Sequence, residues 1–351
     1  MGVLASPAMR GGLLALAAAT FFGLSTPLVQ RFGQGLGPFT TAALLYAGAA
    51  LFALWQREPA HREARLQRAD WPRLLGMAAA GAVIGPVALA WGLQHTSGAS
   101  AALMLTLEAV FTAVLAWRMY GETMDRRVWV AMLLLLAGGL TLVLDQRLAG
   151  GTQLLGLLAV LVATVAWGLD NTLSRGVAER DPGQVVLAKA LLGVLATLSL
   201  AILAREPLPR LDAGFGLLAV GATGYGLSLR FYLLAQRAFG ATRTGSVFAF
   251  APFIGAMGAF ALGDRSASAI WLMGGGLMLA GVVLHLAEKH EHQHEHPALE
   301  HEHAHRHDDE HHTHAHEGMT DLEHSHWHRH DQQQHAHPHV PDAHHAHAHE
   351  R

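Results

Sequence analysis

The sequence predicts an all-α polytopic membrane protein. Ten transmembrane helices form two inverted five-helix repeats, and a disordered His-rich tail follows them. Three observations predict this. Ten apolar segments, each near the ~20 residues a helix needs to cross a bilayer, follow one another with short connections. Stretches of the first half recur in the second at a nearly constant offset. Beyond residue 289 the composition changes to histidine, with 23 of the chain's 26 histidines at 290–351.

The apolar segments lie near 11–30, 38–56, 73–93, 97–118, 128–145, 153–173, 183–204, 213–234, 243–262 and 268–287. Runs such as "VWVAMLLLLAGGLTLVL" are apolar on every face, which excludes a water-facing helix. The segments do not alternate, which argues against a β-barrel. One arginine, Arg10, precedes the first segment, and no small-residue cleavage site with a polar chain follows. Residues 11–30 therefore read as a retained span, not a removable signal. The chain has no cysteine, so disulfides and thiolate metal sites are excluded.

Charge sets the orientation. Residues 1–289 carry a net +7, while the tail is acidic apart from Arg306, Arg329 and Arg351. With the N-terminus in the cytoplasm, thirteen arginines fall in inside loops and five in outside loops. That follows the positive-inside rule. It predicts a multi-pass protein of the cell (inner) membrane with both termini cytoplasmic.

The repeat rests on three matches. "FFGLSTPLVQ" resembles "AWGLDNTLSR", with Gly23 and Leu24 matching Gly168 and Leu169. Gly98-Ala99 matches Gly240-Ala241, and Phe111 to Glu122 matches Phe253 to Asp264. The offsets are 145, 142 and 142. Five helices per copy turns the second copy upside down. Exchanging the conformations of two such copies moves an opening from one side of the membrane to the other. Gly81-x-x-x-Gly85 supplies the small residues that close helix packing needs, a feature also found in membrane proteins that move nothing. The predicted domains are 1–147, 148–289 and the tail at 290–351.

These residues resemble an EamA-type member of the drug/metabolite transporter (DMT) superfamily over roughly residues 10–287. The resemblance is carried by "LTLEAVFTAVLAWRMYGE", "LLAQRAFGATRTGSVFAFAPFIGA" and "WGLDNTLSRGVAERDPGQVVLAKALLG". The first departs from the family pattern at Ala109, where proline is common, although Pro252 is present in the second copy. The resemblance implies ten helices in two repeats and a permease for a small molecule. It does not name the cargo.

A charge at membrane depth costs at least a few kcal/mol, so each one asks for a reason. Asp170 and Asn171 fall late in the sixth segment and Lys189 early in the seventh. An Asp170–Lys189 pair would serve as a polar wall of the substrate route or as a plain structural bridge. Glu108, mid-way along the fourth segment, reads as a proton-coupling group or as a protonated glutamate donating one interhelical bond. Arg230 would hold an anionic group, pair with Glu108, or snorkel to the interface. Trp91, Trp167 and Tyr225 are candidates to line the path or to belong to the interfacial belt. Pro27, Pro86 and Pro252 lie within helices, where a freed carbonyl can bind substrate or simply accompany a kink. Glu122 and Asp264 read as structural end groups.

The tail has almost no large aliphatic residues to build a core. Its H-x-H spacing suits Zn, Ni, Co or Cu. The candidate ligands are His290, His292, His294, His296, His301, His303, His305, His307, His312, His314, His316, His324, His326, His328, His330, His335, His337 and His339. A polar tail with incidental affinity is the blander reading.

The leading expectation is a secondary transporter of a small metabolite with the tail as a metal-binding accessory. The alternative is a divalent-metal (Ni, Co or Zn) transporter or exporter whose tail collects the ion. The membrane core argues against the alternative, since His95 and His285 are its only histidines within or near helices. A metal sensor that moves nothing would leave the repeat unexplained. No nucleophile–base pair marks an enzyme, no catalytic residue is assigned, and no cofactor is required. The implied partners are the lipid bilayer, a small-molecule substrate and divalent metal ions. No nucleic acid is among them, and a homodimer is compatible with the reading.

Overall fold

A computed structural model of the chain describes residues 7–56, 64–120, 126–149, 151–177, 180–239, 241–286, 291–296, 299–305, 324–330 and 333–338. Up to residue 286 these residues are helical, with short connections. Helix α1 spans Pro7–Phe32, α2 Pro38–Trp55, α3 Arg68–Leu93, α4 Gly98–Met119 and α5 Arg126–Ala149. Then follow α6 Gly151–Ser174, α7 Pro182–Leu203, α8 Leu211–Gln236, α9 in two pieces (Ala241–Phe248 and Ala251–Ala261), and α10 Ala269–Leu286. Eight of these, α1 to α8, are long and apolar enough to cross a membrane. A break divides α9, and Ala251–Ala261 and Ala269–Leu284 are shorter apolar helices among the described residues. Large apolar side chains such as Leu133, Leu195 and Leu203 point outward, as lipid-facing residues do.

Two helices of the first half break where their counterparts in the second half break. Helix α3 carries a π segment at Ala78–Ile84, and α8 carries one at Gly221–Leu227. These positions are 143 apart. Helix α4 tightens to a 3₁₀ turn at Leu105–Leu107, and α9 breaks at Ala249 and Phe250. Packing follows the same pattern. Helix α1 lies on α8 and α9, and α6 lies on α3 and α4. Helix α2 packs on α7, and α5 on α10.

Polar bonds tie the first half to the second at both ends of the bundle. At the end where α2 finishes and α3 begins, Asp70 pairs with Arg180 at 3.0 Å. There the Asp181 N–H also donates to the Ala64 carbonyl at 2.8 Å, and the Leu66 N–H to Gln184 Oε1 at 3.2 Å. At the opposite end, two acids that follow second-half helices cap first-half helices. Glu206 accepts from the N–H groups of Phe39 (3.2 Å) and Thr40 (2.6 Å) at the start of α2. Asp264 accepts from the Ala99 N–H at 3.0 Å at the start of α4. Exposed N–H groups at a helix start favour a carboxylate there. Burial works against the charge of Asp264. Bonds from Ser266 and from the main chain of Ala99 and Gly98 outweigh it and hold the carboxyl below the usual range.

The described parts of the tail, 291–296, 299–305, 324–330 and 333–338, are extended. They form four strands: β1 Glu291–His296, β2 Leu299–His305, β3 His324–His330 and β4 Gln333–Pro338. Strand β1 pairs antiparallel with β4, and β2 with β3. The register sets His292 opposite His337 and His301 opposite His328. A period of two, the basis of the H-x-H reading, is also the period of a strand. Of the proposed ligands, His290, His307, His312, His314, His316 and His339 lie outside the described residues.

Candidate functional site

The polar residues gather where the broken parts of α3 and α4 meet α6 and α7. Glu108 opens the helical piece that follows the 3₁₀ turn of α4. The side-chain amide of Asn171, on α6, donates to Glu108 Oε1, so this bond crosses from one half to the other. One residue earlier, Asp170 accepts from the Lys189 ammonium of α7 through Oδ2. Both side chains of this pair are buried, 7% and 5% exposed. The other carboxylate oxygen, Asp170 Oδ1, is buried with no hydrogen-bond partner among the described residues. A buried acceptor without a donor is costly and is an opening for a ligand's N–H or O–H.

Glycine makes room for this. A Cβ on Gly81 would collide with the Asp170 carboxylate, so only glycine lets the π segment of α3 come this close. The Gly81 carbonyl accepts from Trp167 Nε1–H at 3.1 Å and from the Tyr46 hydroxyl. Rings fill the space beside it. Phe22 meets Trp167 edge-on at 5.6 Å and Tyr225 at 6.0 Å, and Tyr46 meets Tyr225 at 5.6 Å. Tyr46, Trp167 and Tyr225 are all buried.

The second half builds the same shape from different chemistry. Gly224 matches Gly81 at the 143-residue offset, and its missing Cβ faces Ser25, 2.6 Å from that side chain's Cβ. Ser25 stands where Asp170 stands in the other copy, Phe22 where Trp167 stands, and Lys189 where Tyr46 stands. The charge is thus concentrated on one side of the centre.

Other candidates lie elsewhere. Arg230 donates to the Gln56 carbonyl at 3.2 Å, at the end of the bundle where α2 stops. Trp91 is 37% exposed and stacks on His95 at 4.1 Å, near the other end of α3. Pro86 and Pro252 each sit in the first turn of the helical piece after a break. Pro27 lies inside α1. Glu122 is outside the described residues. Sequence reading missed Tyr46, Gly81 and Phe22 as members of this site. The one signal for Tyr46 was its offset from Lys189, since a lone tyrosine in an apolar run otherwise reads as core.

The profile of the EamA-like transporter family matches residues 9–144 and again 154–287. The chain belongs to the EamA-like transporter family. This transporter is 27% identical over 295 residues to an uncharacterized transporter of Methanothermobacter thermautotrophicus, covering 78% of this chain and 85% of that one. A solved crystal structure, described only as that of a protein, superposes with a TM-score of 0.59 at 18% identity. It covers 78% of this transporter and 94% of the solved chain, which speaks to the shared fold. The protein is thus a multi-pass membrane transporter in contact with the bilayer.

Proposed function

We propose that this transporter moves a small metabolite across the cell membrane by alternating access. Residues 1–147 and 148–289 act as two inverted halves, and the termini face the cytoplasm. Solute passes the centre formed by Glu108, Asn171, Asp170 and Lys189. The observation that carries the reading is the half-satisfied ion pair at membrane depth: Asp170 and Lys189 are bonded to each other while Asp170 Oδ1 stays without a donor. Purely structural bridges tend to have their polar atoms filled. The matched breaks in α3 and α8 support two copies of one moving unit. The tail binds divalent metal as an accessory, through histidines spaced two apart.

Vesicles holding the full chain test this with a panel of radiolabelled small metabolites. For a transported solute, Asp170→Asn, Lys189→Met and Glu108→Gln each lower flux at least about tenfold while eluting as folded protein. Deleting residues 290–351 leaves that flux within about twofold. Wild-type flux in all three core variants defeats the reading. Metal content that follows the core variants would instead favour the divalent-metal carrier.

A further inference from the structure

Helix α3 leaves the Gly81 carbonyl without its ladder donor. In the π segment Ala78–Ile84 the Gly85 N–H reaches back five residues to the Ala80 carbonyl. The next residue, Pro86, has no N–H. The Gly81 carbonyl therefore receives neither the α donor, which is spent on Ala80, nor the π donor, which does not exist. A buried carbonyl in this state must be satisfied from outside the helix. Tyr46 and Trp167 supply the donors.

The second half serves as an internal control. In α8 the Ser228 N–H likewise reaches back five residues, to Thr223. The residue after it is Leu229, which keeps its N–H. The side chains at the matching positions are Phe22, which has no donor, and Lys189, which is bonded to Asp170. Proline and the two side-chain donors occur together in one half and are absent together in the other.

We propose that Tyr46 is a positioning residue of the polar centre. Its hydroxyl, with the Trp167 indole, replaces the backbone donor that Pro86 withholds from Gly81. That bond holds the Gly81 Cα under the Asp170 carboxylate and so sets the geometry of the Asp170–Lys189 pair. The functional weight of this assignment rests on the reading that solute passes this centre, but the bond itself can be tested without any solute.

The chain has two lysines, Lys189 and Lys289. Labelling lysine with 15N at Nζ and 13C at Cε therefore gives two signals from the full chain in lipid nanodiscs, and Lys289→Arg assigns them. Tyr46→Phe is expected to shift the Lys189 signal by more than its linewidth. Trp167→Phe is expected to shift it in the same direction. Pro86→Ala gives Gly81 a backbone donor, so Tyr46→Phe/Pro86→Ala is expected to return the signal to its wild-type position. A packing role for Tyr46 would not be rescued by an N–H added to another helix. The proposal is overturned if Tyr46→Phe leaves the signal in place, or if Pro86→Ala does not restore it. Should Tyr46→Phe alone fail to fold, recovery of folded protein in the double variant supports the assignment, and continued misfolding overturns it. Failure of the flux experiment would leave this spectrum unchanged, so the two readings fail separately.

Discussion

Replacing Lys189 with methionine leaves the Asp170 carboxylate where water barely reaches. The two side chains are only 5% and 7% exposed, and Oδ1 already lacks a donor. Breaking a buried pair by removing one partner costs about 3–5 kcal/mol, because the remaining charge is uncompensated. At roughly 2–4 °C per kcal/mol, that lowers the melting midpoint by about 10 °C. Adding Asp170→Asn to Lys189→Met removes both charges with little change in shape, and most of the loss should return. The strong non-additivity expected of touching residues is the signature. The assay is a heating series on the detergent-solubilised full chain, scored by the fraction that still elutes as a single species. Two results would refute the reasoning: Lys189→Met melting within about 2 °C of wild type, or the double variant melting as low as the single one.

Gly81→Ala places a methyl group against the Asp170 carboxylate. It should cost about 1–3 kcal/mol from overpacking, read in the same heating series, and should lower solute flux as well. Asp264→Asn keeps the shape of the cap on α4 but loses the charge. The carboxyl of Asp264 is held below its usual range, so its stabilisation is complete above the unfolded value of about 3.9 and fades as pH falls through the lower folded value. The gap in melting midpoint between wild type and Asp264→Asn should therefore be wide at pH 7 and narrow toward pH 3. A gap independent of pH would count against a charged cap. Deleting residues 290–351 should remove most of the Ni and Zn retained by the purified chain after dialysis, measured by elemental analysis. Unchanged metal content would place the ligands elsewhere.

The apolar runs and the internal repeat were legible because lipid contact and duplication both leave marks in composition and spacing. The breaks were not. Hydropathy reports side chains, whereas the π segments at Ala78–Ile84 and Gly221–Leu227 are a matter of which N–H reaches which carbonyl. Asp170 and Lys189 could be paired on paper because only a short turn separates their helices. Asn171 with Glu108, 63 residues apart, could not. Tyr46 escaped for a related reason. Its role depends on a missing N–H forty residues away in another helix. Trp91 and Trp167 looked alike as aromatics in apolar runs, and only the fold separates the exposed one from the buried one. In the tail, alternation was read as ligand spacing alone, although the same alternation also specifies strands.

The polar ties at the two ends of the bundle differ in kind. At one end an ion pair, Asp70 with Arg180, shares the load, and Arg180 is 19% exposed. At the other, Glu206 and Asp264 grip uncharged main-chain groups. Dissolved salt weakens attraction between charges far more than it weakens bonds to neutral amides. Rising ionic strength should thus weaken the first tie before the second.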